Sequence, residues 1–203
     1  MYVPKEFRLE DREAAVAFMK RYNFALLVTP GTEKPQATHL PFHISIQDNA
    51  IRLSAHMAKA NPQWKDFDRR DVLVVFSGPH AYISPANYEK QQNVPTWNYI
   101  AVHAYGKVNM ITDMQEGMQV LEEMIMLSEP GYKTQWEQLS EKYKHSLYNE
   151  IVPLTINITE IQAVEKLSQN KTASERNNII HSLQHYDDGA AHELSGYMQE
   201  KEK

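Results

Sequence analysis

Between residues 36 and 46 the chain alternates without a break. Thr38, Leu40, Phe42, Ile44 and Ile46 share one side of an extended strand; Ala37, His39, Pro41, His43 and Ser45 share the other. Pro41 has no N–H to give a ladder, so this strand belongs at an edge, carries a bulge, or receives something other than a strand there. A turn at Gln47–Asn49 leads to Ile51–His56, the expected hairpin partner. A second alternation starts at Tyr99. Ile100, Val102, Ala104, Gly106 and Val108 are small and apolar and suit a core. Tyr99, Ala101, His103, Tyr105 and Lys107, on the opposite face, suit an interface or a ligand better than open water. Shorter runs at 24–29, 72–76, 80–84 and 153–161 also read as strands, the second and third flanking the turn signal Ser77–Gly78–Pro79.

Helical spacing governs the rest. Residues 11–22 put Ala15, Phe18 and Met19 on one face. Residues 113–127 are the clearest helix, with Asp113 and Glu116 as a cap and Met114, Met118, Leu121 and Ile125 as a stripe of core filler. A further helix covers 134–147, and Thr172 with Glu175 forms a capping box for one reaching about Tyr186. The tail from Gly189 reads as a polar helix that frays. Between the elements, PGTEKP (30–35) is a turn, and HMAKANPQW (56–64) is too irregular for a strand. Short strands followed by helices, one more strand and C-terminal helices predict an α+β fold. Its centre is a small closed barrel, mainly antiparallel, with helices packed outside. The division expected is 1–171 for the barrel domain and 172–203 for a C-terminal helical extension.

The 203 residues are enough to bury a core without disulfides or metals. There is no Cys, which removes thiolate metal sites and a Cys nucleophile and fits a reducing, cytoplasmic setting. The N-terminus has no apolar run of the signal-peptide kind, and no apolar stretch approaches the ~20 residues of a membrane helix. Formal net charge is −5, which gives no general attraction for a phosphate backbone. Lys65, Arg69 and Arg70 lie among Asp66, Asp68 and Asp71, a self-neutralised segment.

No GxGxxG, P-loop or GxSxG sequence occurs, so the usual nucleotide and hydrolase loops have no support. His39 and His43 would sit ~13 Å apart on a strand, too far to share an ion. His181 and His185 have helical spacing without an evident third ligand. What remains is a series of polar and aromatic patches beside strands: ATHLP (37–41), HMAKANPQW (56–64), GPHAYIS (78–84), VPTWNY (94–99) and KLSQNK (166–171). Together they offer cations, amides, hydroxyls and stackable rings, an inventory that suits a planar heterocycle carrying a phosphate.

These motifs, in this order over residues 1–186, resemble the PaiB family, bacterial proteins described as FMN-binding negative transcriptional regulators. The resemblance implies an FMN-binding split barrel related to pyridoxamine-phosphate oxidases, a homodimer with flavin at the subunit interface. It also implies repression of protease production and sporulation alongside an acetyltransferase of the same operon. Carried over by position, Thr38, His39 and Leu40 would meet the isoalloxazine edge. His56, Lys59, Asn61 and Trp64 would line the phosphate and ribityl region. Trp97, Asn98 and Tyr99 would close the pocket, and Lys166, Ser168, Gln169, Asn170 and Lys171 would complete it. Family members more usually carry Arg where Lys171 stands, and Lys loses the bidentate fork. No counterpart appears of the Arg and His with which the oxidases hold pyridoxamine phosphate, which argues against vitamin B6 oxidation. Three roles stay open: a regulator with a DNA or protein partner, an FMN-dependent oxidoreductase whose catalytic residues are unknown, and a cofactor-free interaction module.

Overall fold

A computed structural model describes residues 1–31, 33–69 and 71–202. The strands are β1 (Phe24–Thr29), β2 (Gln36–Pro41), β3 (His43–Gln47), β4 (Ala50–Ala58), β5 (Val72–Ile83), β6 (Thr96–Met110) and β7 (Ile151–Lys166). The helices are α1 (Arg12–Arg21), α2 (Met114–Ser128), α3 (Lys133–Gln138), α4 (Glu141–Tyr148), α5 (Ala173–Leu183) and α6 (Gly189–Lys201). Short 3₁₀ segments precede α1 and α3 and follow β4 and β5. Part of the expected charge-balanced segment, Arg70 and the side chains of Asp68 and Arg69, lies outside the described residues, as does Thr32 of the turn before β2.

Pro41 ends β2, and after Phe42 alone the chain resumes as β3. The seven-stranded order β2-β1-β5-β6-β7-β4-β3 then places these two pieces of one alternating run at its two edges. One residue joins the edges, so the sheet must roll into a split barrel. Phe42 turns inward, 1% exposed, against Phe76 at 6.0 Å between ring centroids, and its N–H donates to Asn23 O at 2.8 Å. β3 and β4 form the expected hairpin. Asp48 and Asn49 take φ of 48° and 63°, the two positive values a tight two-residue turn demands.

The chain forms two compact units. The barrel unit comprises 19–76 and 103–161. Its core contains Leu27, Leu53, Val74, Phe76, Ala104, Leu154 and Ile156, each 0% exposed. The terminal unit comprises 1–18, 77–102 and 162–203. Its core contains Phe18, Ile83, Ile100, Val102, Ile179, Leu183 and Leu194, all buried, with the N-terminal segment fixed by Leu9 N–H to Ala163 O at 3.1 Å.

Several expectations are corrected. Ser77–Gly78–Pro79 does not break β5, and β4 runs through His56, Met57 and Ala58 before the loop begins. β6 starts at Thr96 rather than Tyr99, so Trp97 and Asn98 are strand residues. The helix over 134–147 is two, parted at Leu139, where Ser140 caps α4 by accepting from Tyr143 N–H. The α2 stripe is only half-buried: Met114 is 39% exposed, and the inward positions are Gly117 and Met124. Gly117 is required because a Cβ there would run into the Tyr148 ring. The tail does not fray. α6 buries Ala191, Leu194, Ser195, Tyr197 and Met198, since its small and apolar residues fall on one face and its charges on the other.

Candidate functional site

The residues singled out in the sequence fall into two clusters, one in each unit. In the barrel unit the organiser is Gln63, 1% exposed, in the 3₁₀ segment Pro62–Arg69 that follows β4. Its Nε2 donates among Leu27 O (3.2 Å), Thr29 Oγ1 (3.1 Å) and Gln36 O (3.3 Å), linking the segment to β1 and β2. Its Oε1 accepts from Thr38 Oγ1 at 2.5 Å. Thr38 in turn accepts from Asn61 Nδ2 at 2.8 Å, and Asn61 Oδ1 accepts from Gln63 N–H at 3.0 Å. Thr38 and Asn61 are thus brought together by a residue that sequence reasoning left out. Its one signal was an amide set between a proline and a tryptophan in a loop.

Around this network lie the groups that reach outward. His39 is exposed on β2 and stacks on Phe24, with centroids 5.8 Å apart and planes at 20°. Leu40, its neighbour, points into the core. Lys59 is exposed; its Nζ has one acceptor, Asn149 O at 3.2 Å, and keeps donors for a ligand. Trp64 is fastened to the same loop by Nε1 donating to Lys59 O at 3.0 Å. His56 Nδ1 is buried and has no hydrogen-bond partner among the described residues. Burial pushes this imidazole below its ordinary 6.5, so it stands neutral at pH 7 with an unused ring nitrogen. His103, on the outer face of β6, shows the same two features and was read only as part of that face.

In the terminal unit, β6 and the turn after β7 meet. Asn98, 0% exposed, donates through Nδ2 to Ser168 Oγ (3.0 Å), and Ser168 Oγ donates back to Asn98 Oδ1 (3.1 Å). The Ser168 hydroxyl accepts in the first bond and donates its own hydrogen in the second, so both form together. Asn98 Nδ2 also lies 3.8 Å from Met198 Sδ on α6. Ser168 holds φ of 61°, the left-handed conformation that turns the chain from β7 toward α5. Gln169 braces the turn, accepting from Leu167 N–H at 2.8 Å and donating to Glu165 O. Asn170 is exposed. Lys166 Nζ donates to Thr96 Oγ1 and lies 5.6 Å from the Phe7 ring centroid. Lys171 Nζ donates to Asn93 Oδ1 at 2.9 Å and sits 4.0 Å from the Tyr88 ring centroid, a cation–π distance. Tyr99 is half-buried. Trp97 is 53% exposed, with His80 and Tyr82 rings 6.1 and 6.2 Å away.

A planar ring system bearing a phosphate needs a cation, hydrogen-bonding groups at its rim and flat apolar surfaces. Within the barrel unit, Lys59 with free donors, the unpartnered His56 nitrogen, the Thr38–Asn61 pair and the exposed ring of His39 supply that donor set. The residues present therefore fit a flavin nucleotide.

Comparison with known proteins agrees. Residues 1–160 match the profile of a family described as "Putative FMN-binding domain". The chain is 39% identical over 209 residues to "Protease synthase and sporulation protein PAI 2" of Bacillus subtilis (strain 168), an alignment covering 100% of this chain and 99% of that one. It is 29% identical over 208 residues, 82% of each chain, to an uncharacterized protein of Emericella nidulans. Among solved structures, the flavocytochrome Anf3 from Azotobacter vinelandii superposes with a TM-score of 0.62 at 17% identity, over 81% of this chain and 72% of that one. The FAD and heme binding protein from Mycobacterium smegmatis gives 0.62 at 14% identity, over 84% and 78%. At those identities the likeness establishes the split-barrel fold.

Proposed function

The chain belongs to the PaiB family of FMN-binding domain proteins, and on that premise we propose that it is a regulatory flavoprotein that restrains protease production and sporulation. FMN is the cofactor of this family. The observation that carries the regulatory reading is end-to-end kinship with a protein named for protease synthesis and sporulation. Thr38, His39, His56, Lys59, Asn61 and Trp64 hold the flavin from the barrel unit, with Leu40 offering its backbone alone because its side chain is buried in the core. Trp97, Tyr99, Lys166, Asn170 and Lys171 are the candidate flavin contacts of the terminal unit considered by itself, and the protein acts as a cytoplasmic homodimer. Asn98, Ser168 and Gln169 fix the turn that presents them. The regulatory output passes through a protein or DNA partner; with a net charge of −5, a DNA contact has to rest on a local basic groove.

Deleting the gene tests this reading: secreted protease activity should rise, and reintroducing the gene should return it to the parental level. Unchanged protease in the deletion strain would remove the regulatory assignment. A promoter mobility shift that is salt-sensitive and stronger than with random DNA identifies direct repression; its absence, with protease still raised, points to the protein partner.

A second reading, an FMN-dependent oxidoreductase, draws on His56. A neutral, buried imidazole with an unpartnered nitrogen is the kind of group that holds or passes a proton. Bound flavin supplies the electron-accepting chemistry, so this chain has only to bind, orient and shield it. Anaerobic bleaching of the protein-bound flavin by NAD(P)H supports this reading; no bleaching argues against it.

A further inference from the structure

Beside the β2–β3 break, the C-terminal half of α2 overhangs the barrel unit and leaves a cavity of about 310 Å³. The break causes it. Phe42 turns into the core, so Pro41 and His43 flank it on the outer face with no strand beyond them. One wall is apolar, formed by Ile44, Met124 and Leu127, and Leu127 is 61% exposed despite its size. The rim is polar, formed by Lys20, Asn23 and His43. None of these three side chains has a hydrogen-bond or ion-pair partner among the described residues. Ser128, also on the rim, has already spent its hydroxyl on Met124 O at 3.0 Å.

We propose that this cavity is a binding site for a small amphiphilic carboxylate, an aryl or short alkyl acid whose tail lies on Met124 and Leu127 and whose carboxylate meets Lys20. The volume is that of a small-ligand pocket, and the lining has the expected composition of apolar walls with a few converging polar groups. An anion is the complementary charge, because Lys20 is the one Lys or Arg on the rim and no carboxylate lines the cavity among the described residues. Lys presents a compact point charge without the planar fork of Arg, so it asks for one oxygen rather than a bidentate match. Asn23 and His43 remain to hydrogen-bond the second oxygen. None of the rim or wall residues used here belongs to the flavin set proposed above, so the site is separate from that reading and does not depend on it.

The test is calorimetric titration of the full-length protein, with and without FMN, using phenylacetate as the probe and phenethylamine as its charge-reversed counterpart. Phenylacetate should bind saturably with a Kd of about 1 mM or tighter, and phenethylamine should not. Lys20→Gln should weaken phenylacetate about tenfold, and Leu127→Glu should abolish its binding. Lys142→Gln, an exposed lysine on α4, should leave it unchanged. Both test positions are exposed, so circular dichroism should match the parent and separate lost binding from lost folding. Equal affinity in Lys20→Gln and Leu127→Glu, equal binding of the amine, or no saturable heat overturns the proposal. Mole-for-mole displacement of phenylacetate by FMN also overturns it, because the cavity would then be part of the flavin site.

Discussion

Replacing Gln63 by Ala removes a side chain of which only 1% is exposed and that accepts from Thr38 while serving three acceptors on β1 and β2. A neutral hydrogen bond contributes about 1 kcal/mol net, and a buried polar group left without a partner costs about 1–3 kcal/mol. Thr29 is 1% exposed, so its hydroxyl has little water to turn to. Thr38 and Asn61 sit nearer the surface and recover part of their loss through water. Counting two net bonds and one stranded buried group gives about 3–5 kcal/mol. With an m-value of about 2–3 kcal/mol/M for a chain of this size, the urea midpoint should fall by about 1–2.5 M at constant m. Gln169→Ala is the control, because that side chain is exposed and, among the described residues, bonds only to Leu167 and Glu165 close by in sequence. A loss below about 1 kcal/mol in Gln63→Ala, no greater than in the control, would refute the assignment of Gln63 as the link between the loop and the strands.

Other consequences can be measured in the same preparations. Leu194→Ala, at a position 0% exposed, should cost about 2–5 kcal/mol in thermal or urea unfolding, whereas a frayed tail would give almost no change. His56 and His103 have folded pKa values lowered by burial, so the unfolded chain binds more protons as the pH drops below 6.5. Stability should therefore be complete above about pH 6.5 and decline as pH falls toward the folded values; a His56→Gln, His103→Gln double variant should show a flatter decline, and an identical slope would contradict it. Trp97→Ala should weaken FMN binding without loss of stability, because the indole is 53% exposed; undiminished affinity would return Trp97 to an ordinary surface residue.

The barrel was legible where a single periodicity governed a strand. On β6, Ile100, Val102, Ala104, Gly106 and Val108 are the buried residues that the alternation named, and the Asp113 cap and the Thr172–Glu175 capping box placed the starts of α2 and α5 within a residue. Local punctuation misled wherever pairing partners outweighed it. Pro79 and the pair Met57–Ala58 read as breaks, yet the strands continue because neighbouring strands supply the ladder. Pro41 was the informative exception, since a missing donor does end the pairing and puts one alternating run on both edges of the sheet. The α6 tail was misjudged because few of its residues are large; Ala191 and Ser195 bury themselves by being small. For the candidate site, residue type shows which side chains carry ligand-binding groups and nothing of how they are arranged. The Gln63 network and the Asn98–Ser168 lock were not legible, since nothing in a linear sequence brings position 38 beside 63 or 98 beside 168.

The central claim is that this donor set holds a flavin nucleotide, and equilibrium titration of purified protein with FMN, followed by flavin fluorescence, tests it most directly. Quenching should saturate at one FMN per chain and be weakened about tenfold or more by Lys59→Ala. Fluorescence that rises linearly with added FMN, with no saturable component in parent or variant, would contradict it.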